Sequence, residues 1–174
     1  LETDLSAGAV ATSSQIYAQL AAAGVSVFAS SGDTGTNSNN PGGGGAYNPS
    51  YPLIVSYPAS DPSVTGVGGT SLPLSSDFSN PSEVVWSGIA TGGPHATGGG
   101  ISALFPRPAW QTGGTTLALQ TMRCVPDVAA LADYGAVHQD GYWGAVGGTS
   151  LSAPIWGGIA ALLNQARSNL GLGP

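Results

Sequence analysis

One apolar segment near the carboxyl end of the chain constrains the fold most. Across residues 149–166, apolar side chains recur at helical spacing, at Ile155, Ile159, Leu162, Leu163 and Ala166. Pro154 lies within the first turn, where the missing N–H of proline does no harm. Because this helix is apolar on nearly all sides, we predict that it is buried against a sheet.

Shorter segments before this helix supply the strands of such a sheet. Residues 13–23 have a helical pattern that ends at Gly24, and the β-prone run 25–28 predicts a strand directly after it. Residues 64–70 predict a second strand, and residues 83–86 a short third one. The loop after the first of these strands lies at its carboxyl end, which is where ligands bind in open α/β sheets.

The composition describes the connections and excludes some partners. The chain contains 28 Gly and 13 Pro, and residues 34–50 consist almost entirely of Asn, Gly, Pro and Ser, which predicts a long surface loop. Only three basic residues stand against nine acidic ones, a net charge of -6 that would repel phosphate. Nucleic acid is therefore excluded as a main partner. No apolar run reaches the roughly 18 to 20 residues that span a bilayer, so we expect no membrane segment.

The low charge content suggests where the protein works. Charged residues make up 7% of the chain, against roughly 25% in an ordinary soluble domain. Carboxylates that are paired in the native state lose that stabilisation when acid protonates them, so a chain with few charges has little to lose at low pH. We therefore hypothesise an acidic, extracellular medium; chance composition of a Gly- and Ala-rich chain is the alternative.

Ser150 follows two glycines at the start of the predicted helix. The first N–H groups of a helix lack acceptors within it, and the positive end of the helix dipole lies there, so this position stabilises an oxyanion. The pattern suits a nucleophilic serine. An ordinary serine near a helix cap would give the same pattern.

Longer strings of residues carry a family resemblance. Gly-Thr-Ser-Leu-Ser-Ala-Pro at 148–154 resembles the nucleophile motif of subtilisins and of sedolisins, the serine-carboxyl peptidases. The sequence lacks the Asn and His motifs of subtilisins, whereas Ala-Ser-Ser-Gly-Asp-Thr-Gly at 29–35 resembles the sedolisin segment in which an Asp replaces that Asn. Further segments similar to sedolisins follow in the family's order, at 57–60, 67–70, 97–102, 105–111 and 125–129.

The resemblance implies a fold and a domain boundary. It implies an α/β, subtilisin-like three-layer fold with a mostly parallel central sheet, incomplete at both ends. Residues 1–174 would then be a partial catalytic domain, without the upstream region that holds a Glu and Asp pair and without the downstream calcium site. Glu2 and Asp4 are spaced by two and not by four, so we interpret them as first-turn or loop acids. A partial domain is expected to be poorly stable alone.

The resemblance also implies a reaction. The parent protein would be a secreted endopeptidase, made with an N-terminal propeptide, that binds calcium and cleaves proteins or peptides in acid. Ser150 would be the nucleophile, and a protonated Asp33 would donate to the oxyanion as the Asn of subtilisin does. Ser30, Ser31 and Gly32 lead into Asp33, and we expect them to line the pocket for the residue before the scissile bond.

Other residues and other classes of protein remain open at this point. We interpret His95 and His138 as exposed, although either of them acting as the general base would favour a His-dependent subtilisin. We interpret Asp127 as a structural acid that forms hydrogen bonds. One alternative function is a non-catalytic paralogue that keeps the fold as a binding module. Another is a Gly-rich extracellular structural domain in which the Gly-Thr-Ser string is coincidental.

Overall fold

The computed structural model describes residues 1–36, 53–74, 82–87, 95–113 and 120–173. Residues 37–50 of the predicted loop lie outside this description. A 3₁₀ turn, Glu2–Asp4, comes first. The helices and strands that follow are α1 (Ala7–Ala22), β1 (Phe28–Ser30), β2 (Thr65–Ser71), β3 (Val84–Val85), β4 (Gly100–Pro106), β5 (Met122–Val125), β6 (Val128–Leu131), β7 (Gly135–Gln139), β8 (Tyr142–Val146) and α2 (Thr149–Asn169).

Strand β2 is the centre of the main sheet. It pairs in parallel with β1 and with β6, and its end pairs antiparallel with β3. Ser30, Val67 and Val128 stand side by side across the three parallel strands. The predicted mostly parallel sheet is therefore confirmed, and the chain that leaves β1 emerges at the carboxyl edge, where α/β folds bind ligands. Two further antiparallel pairs, β4 with β5 and β7 with β8, lie outside this sheet.

Helix α1 begins earlier than the predicted helix 13–23. Ser6 is its N-cap, and the Ser6 side chain accepts a hydrogen bond from the N–H of Ala9 (3.2 Å). Thr12 and Ser13 lie inside the helix, and each donates its hydroxyl to a helix carbonyl four residues earlier (2.9 and 2.8 Å). The pattern missed the first turns because they contain few large apolar residues. Strand β1, in contrast, begins later than predicted, at Phe28, the last residue of the run 25–28.

Helix α2 begins where it was predicted and packs against β1, β2 and β6. The prediction that it is buried is wrong for most of its length. Only Thr149 and Ser152 are buried, whereas Ile159, Leu162 and Leu163 are 36%, 67% and 57% exposed. The sheet covers the beginning of the helix, and the described residues leave the rest of its apolar surface open.

A buried ion pair fixes the turn between β5 and β6. Arg123 is fully buried, and its guanidinium donates to both carboxylate oxygens of Asp127 (2.6 Å each). Asp127 also accepts a hydrogen bond from the N–H of Gly66 in β2 (2.8 Å). The predicted structural role of Asp127 is confirmed, because both of its oxygens bind groups that hold the sheet together.

Glu2 has a role that the sequence did not reveal. It lies in a first turn, as expected, but it is buried to 1% exposure. Its carboxylate accepts hydrogen bonds from the Ser102 hydroxyl and from the N–H of Ala103 (2.9 Å), and its own N–H donates to the Val55 carbonyl (3.2 Å). Glu2 therefore attaches the start of the chain to β4. Its carboxylate is occupied by these bonds.

Candidate active site

The structure brings Asp33 to the start of helix α2. The Oδ1 atom of Asp33 accepts two hydrogen bonds from Thr149, one from its N–H and one from its hydroxyl (2.7 Å each). The hydroxyl oxygen of Thr149 in turn accepts a bond from the N–H of Gly32 (3.1 Å). Asp33 and Thr149 are 116 positions apart in the sequence. The carboxyl group is thus held beside the residue that precedes Ser150.

Gly148 allows this close approach. Its φ of 92° lies in the left-handed region, and a Cβ atom placed on it would lie 2.5 Å from Oδ2 of Asp33. Its N–H donates to the carbonyl of Ala132 at the end of β6 (2.7 Å). The positive φ favours glycine here, and any side chain would have to push the carboxyl group of Asp33 aside.

Ser150 is the second residue of α2, and it is exposed. The N–H groups of a helix's first turn point away from the helix without an acceptor inside it. The carboxyl group of Asp33 is bonded one residue before Ser150. A hydroxyl, helix N–H groups and a carboxyl group therefore occur within one turn, and they can serve as the nucleophile and the oxyanion donors of acyl transfer. The general base that a serine nucleophile also needs is not among them.

The segment that leads into Asp33 is held by a second close contact. Ser31 is buried, and its hydroxyl donates to the carbonyl of Gly98 (2.7 Å), while the N–H of Gly98 donates to the carbonyl of Gly32 (2.6 Å). A Cβ on Gly98 would lie 2.1 Å from the Ser31 carbonyl oxygen, so only glycine fits. The Ser31 side chain therefore serves this link. That Ser30, Ser31 and Gly32 line a substrate pocket stays a prediction.

A cavity of about 270 Å³ opens beside the carboxyl group of Asp33. Its lining comes from the ends of β6 and β8 and from the segments around β3, namely Asp33, Trp86, His95, Ala132, Asp133, Tyr134, Gly147 and Gly148. Sequence reasoning singled out only Asp33 and His95 among these side chains. Gly147 and Gly148 belong to the segment before Ser150, whereas Trp86, Ala132, Asp133 and Tyr134 carry no motif, and the fold alone brings them to the cavity.

Both histidines are exposed, as predicted, and each contacts an indole ring. His95 stacks on Trp86 with ring centroids 6.3 Å apart, and His138 lies 5.1 Å from the ring of Trp143. No hydrogen bond in the described part of the chain joins either imidazole to Ser150. A His-dependent nucleophile therefore finds no support in these contacts.

The metal that the resemblance implies has no place among these groups. Within residues 1–36, 53–74, 82–87, 95–113 and 120–173, no three His, Cys, Asp or Glu side chains form a group that could hold a metal ion. Calcium prefers six to eight oxygen ligands, several of them carboxylates. The described residues therefore do not fit a calcium ion.

Comparison with known proteins shows which proteins this chain is similar to. No family model matches the chain. The chain is 36% identical to sedolisin of Pseudomonas sp. (strain 101) over 97% of its own length and 29% of that protein. It is 34% identical to kumamolisin of Bacillus sp. (strain MN-32) over 90% of its length and 28% of that protein. Bovine tripeptidyl-peptidase 1 is 35% identical over 88% of the chain and 27% of that protein.

A solved structure agrees with these relatives. The chain matches Pseudomonas sedolisin, a serine-carboxyl proteinase in complex with pseudo-iodotyrostatin, with a TM-score of 0.75 and 36% identity. The match covers 92% of this chain and 43% of that one. The class is therefore an α/β protein with the subtilisin-like fold. Within that class the chain is similar to sedolisins, as the motifs predicted, and it spans less than a third of the relatives' full length.

In the part of the chain that the structure describes, no helix is both long and apolar enough to cross a bilayer.

Proposed function

We propose that this chain is the nucleophile-bearing part of a longer, secreted serine-carboxyl endopeptidase that cleaves proteins or peptides in acid. The observation that carries the proposal is the bonding of Asp33 to Thr149, directly before Ser150 at the start of α2. The homology to sedolisin and kumamolisin supports it. The general base, the calcium site and an N-terminal propeptide would belong to other parts of the same protein.

In the proposed reaction the Ser150 hydroxyl oxygen bonds to the carbonyl carbon of the scissile peptide. Its proton passes to a glutamate outside residues 1–174, as the resemblance to sedolisins implies. Of the two glutamates in this chain, Glu2 is buried against Ser102 and Ala103, and Glu83 accepts a hydrogen bond from the Thr70 hydroxyl. The carbonyl oxygen becomes an oxyanion, which accepts hydrogen bonds from the N–H of Ser150 and from the protonated carboxyl group of Asp33. The glutamate then gives its proton to the nitrogen of the scissile bond, the C–N bond breaks, and the amine leaves an acyl-enzyme that water hydrolyses.

The bonds of Asp33 indicate which of its oxygens carries the proton. Oδ1 accepts both hydrogen bonds from Thr149 and acts as the carbonyl oxygen of the neutral acid. Oδ2 lies over Gly148, which lines the cavity together with Asp33, so it is the oxygen that would donate to the substrate. An ionised Asp33 has no proton to donate and would repel the oxyanion. Activity is therefore expected to rise toward acid pH.

The test is cleavage of a denatured protein from acid to neutral pH by the full-length protein after removal of any propeptide. We expect Ser150→Ala to lower kcat by at least about 10⁴-fold, because it removes the nucleophile. Ser168→Ala, an exposed serine near the end of the same helix, is the matched control and should retain full activity.

Each outcome distinguishes a function. Acid-favoured cleavage that disappears in Ser150→Ala supports the serine-carboxyl mechanism. Cleavage confined to neutral pH would favour a His-dependent subtilisin mechanism. A protein that cleaves nothing at any pH would contradict the proposal and favour the non-catalytic binding module.

A further inference from the structure

We propose that the cavity beside Asp33 binds the side chain that follows the scissile bond, and that Asp133 makes it select lysine or arginine there. This inference rests on the proposed peptidase function, since it names the side of the substrate that the cavity receives. It assigns a role to Trp86, His95, Asp133 and Tyr134, which the proposed mechanism does not use.

The position of the cavity sets which half of the substrate it can receive. Asp33 is one of its walls, so the cavity begins at the group proposed to hold the oxyanion. The segment predicted to bind the residue before the scissile bond, 30–32, does not contribute to its lining. The two halves of a peptide leave the reacting carbonyl carbon in opposite directions. A cavity that adjoins the oxyanion donor but not segment 30–32 therefore suits the leaving-group half.

The chemistry of the walls favours a cationic side chain. Asp133 contributes a carboxylate, and Trp86 and Tyr134 contribute aromatic rings, which attract ammonium and guanidinium groups. Neither Lys nor Arg lies in the described lining. Lysine and arginine have apolar stems that pack on aromatic rings while the charged end reaches a carboxylate. A glutamate in the same place would face a like charge.

The remaining titratable groups of the cavity are Asp33 and His95. Asp33 is neutral when it acts as the proposed hydrogen-bond donor, so the attraction for a cation comes from Asp133. His95 opposes that attraction when its imidazole is protonated. Its stacking on Trp86 keeps it on the wall of the cavity (6.3 Å between ring centroids). Replacing His95 should therefore strengthen the preference for a cation in acid.

The experiment compares peptides that differ only in the residue after the scissile bond, which is lysine, norleucine or glutamate. Norleucine keeps the stem of lysine without its charge. With the full-length protein, we expect kcat/KM for the lysine peptide to exceed that for norleucine by about fivefold, the effect of one partly exposed ion pair. The glutamate peptide should be the poorest substrate.

Variants separate the cavity from the bulk charge of the protein. Asp133→Asn should bring the ratio of lysine to norleucine close to one, and His95→Gln should raise that ratio at acid pH. Asp140→Asn is the matched control, because Asp140 is an exposed acid in the turn between β7 and β8, outside the lining. It should leave the ratio unchanged. A thermal transition equal to that of the parent shows that each variant is folded.

Two results would overturn the inference. Equal kcat/KM for lysine and norleucine in the parent protein, or a lysine preference that persists in Asp133→Asn, would refute the subsite. If the parent protein cleaves peptides and Ser150→Ala does not, the proposed function would still be supported even when the subsite is refuted. Absence of any cleavage by the parent protein would overturn both proposals together.

Discussion

The two ends of helix α2 differ in how they are held. At its beginning, Thr149 is bonded to Asp33, and the hydroxyl of Ser152 donates to the carbonyls of Ala130 and Leu131 (3.0 Å each). Both residues are buried. Toward its end the helix presents apolar side chains to solvent, with Leu162 67% exposed. Helix α2 therefore begins with buried, hydrogen-bonded residues and ends with an apolar surface that the described residues leave uncovered.

This difference separates the geometry of the site from the stability of the chain. Thr149 holds the Asp33 carboxyl group through two hydrogen bonds, and the N–H of Gly32 holds the Thr149 hydroxyl through a third. The apolar surface near Leu162 has no comparable cover within those residues. If the chain is part of a longer peptidase, as we propose, its other parts should cover this surface. The site and the outer surface of α2 can then be disturbed independently.

Among changes that leave the Ser150 hydroxyl in place, the largest effect is expected from Gly148→Ala. The added methyl group would displace the Asp33 carboxyl group, and we expect kcat/KM to fall by about 100-fold, as for a misplacement of about 1 Å. Gly141→Ala is the control, because Gly141 also has a positive φ (85°) but open space where its Cβ would lie. Equal losses of activity in the two variants would show that backbone strain, and not the contact with Asp33, is responsible.

Leu162→Gln tests the other end of the helix. In the full-length protein we expect the free energy of unfolding to fall by about 2 kcal/mol, because a covered leucine would lose its apolar burial. Activity per folded molecule should not change. The control is Gln165→Ala, an exposed polar position of the same helix, which should alter stability by less than about 0.5 kcal/mol. A similarly small effect of Leu162→Gln, measured by denaturant unfolding, would mean that this surface stays open.

Thr149→Val should have a smaller effect on the site than Gly148→Ala. Valine has nearly the shape of threonine, but its side chain cannot donate to Asp33 or accept from the N–H of Gly32. The carboxyl group therefore keeps the bond from the backbone N–H and loses the bond from the hydroxyl. We expect kcat to fall about tenfold, the equivalent of about 1.4 kcal/mol, with less change in KM. Thr149→Ser keeps the hydroxyl and should restore most of the rate. A change confined to KM would argue against a positioning role.

The smallest effect is expected where α1 meets the rest of the chain. The hydroxyls of Tyr57 and Ser13 are hydrogen bonded (2.6 Å), so Tyr57→Phe should lower the free energy of unfolding by about 1 kcal/mol at neutral pH. Burial raises the pKa of Tyr57 above 10.0, its ordinary value, despite the opposing bond from Ser13. The neutral phenol is therefore favoured in the folded state. Its stabilising contribution is complete below pH 10.0 and is lost as the pH rises through the higher folded pKa.

Unfolding followed against pH tests this sign. The stability of the parent should decline in alkali more than that of Tyr57→Phe. Tyr142→Phe, an exposed tyrosine in β8, serves as the control and should behave like the parent. An alkaline decline that is the same in all three proteins would contradict the assignment to Tyr57.

The sequence predicted the elements with strong local patterns. The helical periodicity and the two glycines before it located the start of α2, and the β-prone runs located β2 and β3. Weak local patterns gave poorer results, since α1 begins among small residues that have no clear periodicity. The burial of Glu2 was missed because its partners, Ser102 and Ala103, lie about 100 positions away. The predicted burial of α2 failed because periodicity shows that a face is apolar, not what covers it.

The candidate site also combines features that the local sequence predicts with contacts that only the fold creates. The sequence by itself determined that Ser150 begins a helix after two glycines and that Asp33 follows a strand, because capping, turns and periodicity act between near neighbours. Only the tertiary structure decided that Asp33 bonds to Thr149 and that Asp133 lines the adjoining cavity. The parallel pairing of β1, β2 and β6 brings their carboxyl ends to one edge, and α2 begins there. Hydrogen bonds across 116 positions depend on that packing, which no local pattern contains.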